Sequence, residues 1–184
     1  MTTLSQSQQA PGERSKALVV VWPGTLGHPG EWEMNADEMF GLVTSFLETV
    51  REHEGNMVVV ESRWWRFQEG YMRYLIDRKL MELASKGFAV RRVLEVEDDE
   101  EVQEFDEVTE WTGFGGIRKN LIFRRQETLW ASVSPFLNHS DVFVAGGWQD
   151  EELPRNSPID TAAVMIRRHC PNATVTITDA VLKH

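Results

Sequence analysis

The stretch Ala17–Val21 reads ALVVV, five apolar residues with nothing polar between them. A strand with one face in water alternates apolar and polar side chains. An unbroken short run suits a strand covered on both faces. Met57–Val60 (MVVV) and Asp141–Ala145 (DVFVA) read the same way. Phe88–Val96 (FAVRRVLEV) is the third strand in chain order, expected nearer an edge because it carries two arginines. Ile117–Phe123 (IRKNLIF) and Ala173–Thr178 (ATVTIT) complete the series.

Helices are expected between these runs. After Asn35–Glu38, where Asn35 or Asp37 can cap, Met39, Leu42, Val43, Phe46, Leu47 and Val50 recur at helical spacing, and Gly55 closes the element. A second helix over Glu69–Ser85 carries Met72, Leu75, Ile76, Leu80 and Leu83 on one stripe. A third covers Glu127–Leu137, with Pro135 casting its last turn in doubt. Ser157-Pro158, a cap followed by proline at the first helical position, opens a fourth that reaches about Cys170.

Strands alternating with helices predict an α/β fold: a three-layer α/β/α arrangement around a mostly parallel, Rossmann-like sheet of five to six strands. The 184 residues fit one domain. Residues 1–16, rich in Ser and Gln with Pro11-Gly12, read as a flexible tail before a single domain over 17–184.

The net charge of −10 disfavours nucleic acid and anionic membrane as partners. Much of it sits in Glu95–Glu107 (EVEDDEEVQEFDE), which reads as a solvated loop. One cysteine, Cys170, excludes an internal disulfide. The start of the chain has no apolar signal, and no run nears the roughly 20 residues that cross a bilayer. The expected location is cytoplasmic.

In open α/β sheets, ligands bind beyond the carboxyl ends of the strands. The loops expected there are Trp22–His28, Glu61–Phe67, Asn120–Arg125 and Gly146–Glu152. They hold Trp22, Trp64, Trp65 and Trp148, four of the seven tryptophans, whose flat faces suit a flat ligand or the packing of helix–sheet edges. Arg63, Arg66, Lys119, Arg124 and Arg125 fall in or near the same loops and could hold a carboxylate or phosphate. Glu61 directly follows a buried strand, where desolvation would suit it to acid–base work; pairing with Arg63 or Lys119 is the structural alternative. Thr25 and Asp150 complete the candidate ligand-binding set with Trp22, Arg63, Trp64 and Trp148. Glu61 and Lys119 are the candidate catalytic pair.

Other chemistries find little footing. Gly24–Gly27 lacks the spacing of a dinucleotide fingerprint, and no P-loop ending is present. The five histidines are scattered without zinc spacing. Cys170 lies at a helix end, where no dipole activates a thiol. No metal and no cofactor is expected.

One series of segments resembles a known family. Arg118-Lys119 in a short strand, Thr128-Leu129 opening a helix, Asp141–Gly146 ending in Ala-Gly, Thr161-Ala162-Ala163 in the next helix and Val175–Val181 (VTITDAV) follow the order seen in isochorismatase-like cysteine hydrolases. The likeness covers about residues 117–182, and Ala17–Val21 suits that family's first strand. It implies the same α/β fold and a triad of aspartate, lysine and cysteine. Lys119 matches the lysine. Trp22-Pro23 stands where the aspartate belongs, and Glu152 or its neighbours where the cysteine belongs. Without a thiolate no covalent intermediate forms.

Three readings of function follow. The first is a non-hydrolytic small-molecule-binding or interaction protein on an isochorismatase-like scaffold, with a flat or anionic ligand. The second is an enzyme acting on a nucleotide or sugar-phosphate type ligand, with Glu61 as acid or base and Arg63 and Lys119 as anion holders. The third is a homo-oligomeric structural component, such as a homodimer joined through tryptophans.

Overall fold

The computed structural model describes residues 14–27, 34–62, 71–96, 122–150, 152 and 157–183. The expected N-terminal tail before Arg14, the tryptophan–arginine segment after Ser62, most of the acidic run, the Gly-rich stretch and Lys119 lie outside them.

The first strand, β1 (Ser15–Val21), begins two residues before the apolar run. It is followed by a 3-10 turn (Pro23–Gly27), α1 (Ala36–Glu52), β2 (Asn56–Ser62), α2 (Tyr71–Ser85), β3 (Val90–Val96), β4 (Ile122–Arg125), α3 (Gln126–Leu137) and β5 (Ser140–Gly146). A short strand β6 (Trp148–Gln149), α4 (Pro158–His169), β7 (Thr174–Ile177) and β8 (Leu182–Lys183) complete the order. Six strands form one sheet in the order β4-β3-β2-β1-β5-β7, and every neighbouring pair is parallel. The three-layer α/β expectation therefore holds.

The ALVVV run explains the centre. Ala17, Val19 and Val21 face α3 and α4, joining Leu129, Val133, Ile159 and Ile166 in one apolar cluster. Leu18 and Val20 face the other way, toward Phe46 of α1 and Ile76, Leu80 and Leu83 of α2. Because both faces of β1 are covered from Ala17 to Val21, that stretch carries no polar residue, while Ser15 and Lys16 sit at its less buried start.

Local chemistry sets the helix ends. Asn35, rather than Asp37, caps α1: its side chain accepts from the amides of Asp37 and Glu38, and Glu38 returns a bond to the Asn35 amide. Ser157 caps α4 ahead of Pro158. Pro135 does not end α3, which continues to Leu137. Proline leaves the carbonyl four residues earlier without its usual N–H, and the Ser134 hydroxyl donates to that Ala131 carbonyl at 3.0 Å.

One expectation shifts. Arg124 and Arg125 belong to β4, in register with Glu95 and Val96, so the anticipated loop over Asn120–Arg125 is partly strand. Pairing with β3 gives their backbone groups partners that a loop would lack. Strand β3 lies one in from the edge, shielded by β4. Its two arginines are each engaged: the Arg91 guanidinium lies 4.4 Å over the Phe136 ring, and Arg92 lies within ion-pair distance of two carboxylates.

Candidate ligand pocket at the strand tips

After β1 the chain steps outward through β2, β3 and β4, then returns to the other side of β1 for β5 and β7. The order reverses between β1 and β5, and this is where α/β sheets open a crevice. Gly146 and Gly147 close the end of β5 there with φ of 80° and 55°. A Cβ on either would come within 3 Å of the Val21 carbonyl (2.8 and 2.9 Å), so only glycine lets β5 turn this close to β1.

On the α3/α4 side of this point lies a pocket of about 180 Å³, lined by Val21, Trp22, Glu95, Trp130, Pro158, Thr161 and Ala162. Trp22 is its most constrained member. Its φ of 43° is left-handed, a conformation costing a non-glycine residue about 1–3 kcal/mol. The surroundings hold it there. Its amide donates to the Val60 carbonyl at 2.7 Å, and its own carbonyl accepts from the Thr25 amide and hydroxyl, both at 3.0 Å. Its indole Nε1 donates to Glu95 Oε2 at 2.9 Å. The ring is thus locked against the tip of β3.

The other walls come from helices. Trp130 projects from α3 and is 3 % exposed. Pro158, Thr161 and Ala162 come from the first turns of α4, whose start is fixed by Ser157: its hydroxyl donates to the Trp148 carbonyl at 3.0 Å and accepts from the Asp160 amide at 3.1 Å. The described lining therefore offers two indoles, one hydroxyl and one carboxylate. No described lining residue is cationic.

The sequence-derived candidates do not all meet in this pocket. Trp22 lines it. Thr25 is fully buried beneath, serving the Trp22 carbonyl. Glu61 lies on the opposite face of the sheet. Its carboxylate and the Arg92 guanidinium are each 4 % exposed and approach to 3.2 Å, an ion pair without hydrogen-bond alignment. Arg92 Nη2 donates to Asp77 Oδ1 of α2 at 2.6 Å. Trp148 also turns away, packing half-buried against the α1/α2 cluster. Asp150 accepts from the Glu152 amide at 2.9 Å in a local turn. Arg63, Trp64 and Lys119 lie outside the described residues; of the four residues expected to share one cavity, Trp22 packs against the α3/α4 cluster, Trp148 against the α1/α2 cluster, and Glu61 pairs with Arg92.

Three lining residues were not singled out as site candidates from the sequence. Trp130 reads as one more apolar position of α3, Glu95 as the first residue of an acidic run, and Thr161 only as part of the hydrolase-like series. Nothing in spacing alone brings them together.

Thiol chemistry has no place here. Cys170 is buried at the end of α4, where burial raises its thiol pKa, and Glu152 occupies an exposed turn. Among the described residues, no group of three His, Cys, Asp or Glu side chains could hold a metal ion. None of the described helices is long and apolar enough to cross a membrane.

No protein-family model, no curated protein and no solved structure matches this chain. The likeness to isochorismatase-like hydrolases therefore rests on the ordered segments alone.

Proposed function

We propose that this chain is a non-hydrolytic small-molecule-binding protein, and that its ligand is a small flat ring, neutral or cationic, carrying an N–H donor. The observation that carries this reading is the Trp22 indole pinned on Glu95 at the point where strand order reverses. A fixed ring loses little freedom on stacking, so affinity is not spent on ordering it. Trp130 offers a second aromatic surface, and Glu95 an acceptor. At a volume of about 180 Å³ the pocket is smaller than the roughly 300–1,000 Å³ typical of drug-sized ligands, which favours a single ring. Of the flat and anionic ligands expected from the sequence, the described lining favours the flat one, because a carboxylate repels an anion.

An acid–base role for Glu61 gains no support from its position. A general base must reach its proton within about 2.6–3.2 Å, directly or through one water, and Glu61 is sealed with Arg92 under α2.

The reading is tested by tryptophan fluorescence titration with adenine, nicotinamide, tryptamine and benzoate. Adenine, nicotinamide or tryptamine should quench saturably, and benzoate should not. Glu95→Gln should weaken tryptamine about tenfold or more while neutral rings change little. If none of the three rings binds below about 1 mM, or Trp22→Ala binds as well as the parent chain, the reading fails.

A further inference from the structure

A second cavity, of about 200 Å³, lies between α1 and α2, across the sheet from the Trp22 pocket. Leu47, Val50 and Leu75 form an aliphatic wall, and Arg51, Arg78, Lys79 and Glu82 the polar remainder. Three cations against one carboxylate stand out on a chain of net charge −10.

Lys79 makes this more than a solvated surface. Lysine is seldom so enclosed, yet Lys79 is 7 % exposed. Its Nζ donates to the Arg51 carbonyl at the end of α1 at 3.3 Å and to Glu82 Oε1 at 3.1 Å. An ammonium has three N–H bonds, so two acceptors leave one over. Glu82 contributes little free negative charge, because it is shared between Lys79 and Lys86, which together hold its carboxyl below the usual range. Arg51 and Arg78 are exposed, and neither side chain forms an ion pair among the described residues. The guanidinium fork suits carboxylate and phosphate oxygens.

We propose that this α1–α2 groove binds a small amphipathic anion, with a carboxylate or phosphate head on Lys79, Arg51 and Arg78 and a short aliphatic tail on Leu47, Val50 and Leu75. The site is independent of the ring pocket, and its chemistry is the reverse: cationic where that pocket is acidic, aliphatic where that pocket is aromatic. Because the attraction is local, binding should weaken as salt rises toward 0.5 M, where charges screen over a few ångströms.

The test is a titration of the ¹⁵N-labelled full chain with hexanoate, hexyl phosphate, 1-hexanol and inorganic phosphate, following the amides of Leu47, Val50 and Leu75. At least one of the two amphiphiles should shift these signals saturably, about tenfold or more tighter than hexanol or inorganic phosphate. Hexanoate ahead of hexyl phosphate identifies a carboxylate head, and the reverse order a phosphate head. The exposed-site double variant R51A/R78A should lose about tenfold or more in affinity with an unchanged unfolding midpoint. Saturation by neither amphiphile, equal response to hexanol, or full affinity in R51A/R78A overturns the proposal. Binding at the Trp22 pocket is read separately by fluorescence, so either assignment can fail alone.

Discussion

The two faces of the sheet handle polar groups in different ways. Under α3 and α4 the described core is mainly apolar from Ala17 to Ile166, and its ionisable side chain nearest the pocket, Glu95, meets the Trp22 indole at the rim. Under α1 and α2 the interior encloses Glu61, Arg92, Lys79 and His53. A charge at the rim can keep its water and meet a ligand. A charge under a helix has only the partners the fold supplies, and these decide whether it stabilises or strains. A buried carboxylate is therefore weaker evidence of a site than a half-exposed one, and Glu61 and Glu95 are the pair that shows it.

Breaking the enclosed charges should have the largest effect. Arg92→Leu leaves Glu61 without its cation and should lower stability by about 3–5 kcal/mol in urea unfolding. The double variant E61L/R92L should recover most of that loss, since Asp77 reaches solvent on its own. A single variant within about 0.5 kcal/mol of the parent would show that the two faces do not differ in this respect.

Acid sharpens the same contrast. Burial near Lys79 and Lys16 lowers the His53 pKa from 6.5 to about 4. The unfolded chain takes this proton first as pH falls. The stability His53 contributes is therefore complete above pH 6.5 and is lost progressively down to about pH 4, by up to about 3 kcal/mol. His53→Gln should flatten that part of the pH–stability curve; a slope unchanged in the variant would assign it to other groups.

The mildest test lies on the pocket side. Ser157→Ala removes a cap and the link to the Trp148 carbonyl, and should cost about 1–2 kcal/mol by thermal or urea unfolding. A change no larger than for an exposed serine such as Ser85 would mean that the α4 start is held by packing alone.

The strands were readable because a doubly covered strand must be apolar at every position, and ALVVV, MVVV and DVFVA meet that demand without alternation. The edge strand was legible only in part: Ile117–Phe123 reads as a strand, but Arg124 and Arg125 read as loop, and only their register with β3 makes them strand. Glu61 was placed at the right strand end but not on a face. Alternation puts it beside Val59 rather than Val60, away from Trp22. Trp22 and Trp148 defy the same counting. Trp22 has φ of 43°, and Gly146 and Gly147 precede Trp148 with positive φ, so the period of two breaks where the pocket begins. Trp130 and Thr161 enter through helix packing, which leaves no mark in local spacing.

Trp22 also joins distant parts of the chain through one side chain and one amide. It directly follows β1, bonds to Val60 on β2 and to Glu95 on β3, 73 residues away. Parallel strands so far apart in sequence come together slowly. The native emission of this indole should therefore appear late in refolding, making it an intrinsic clock for the moment the first three strands fall into register.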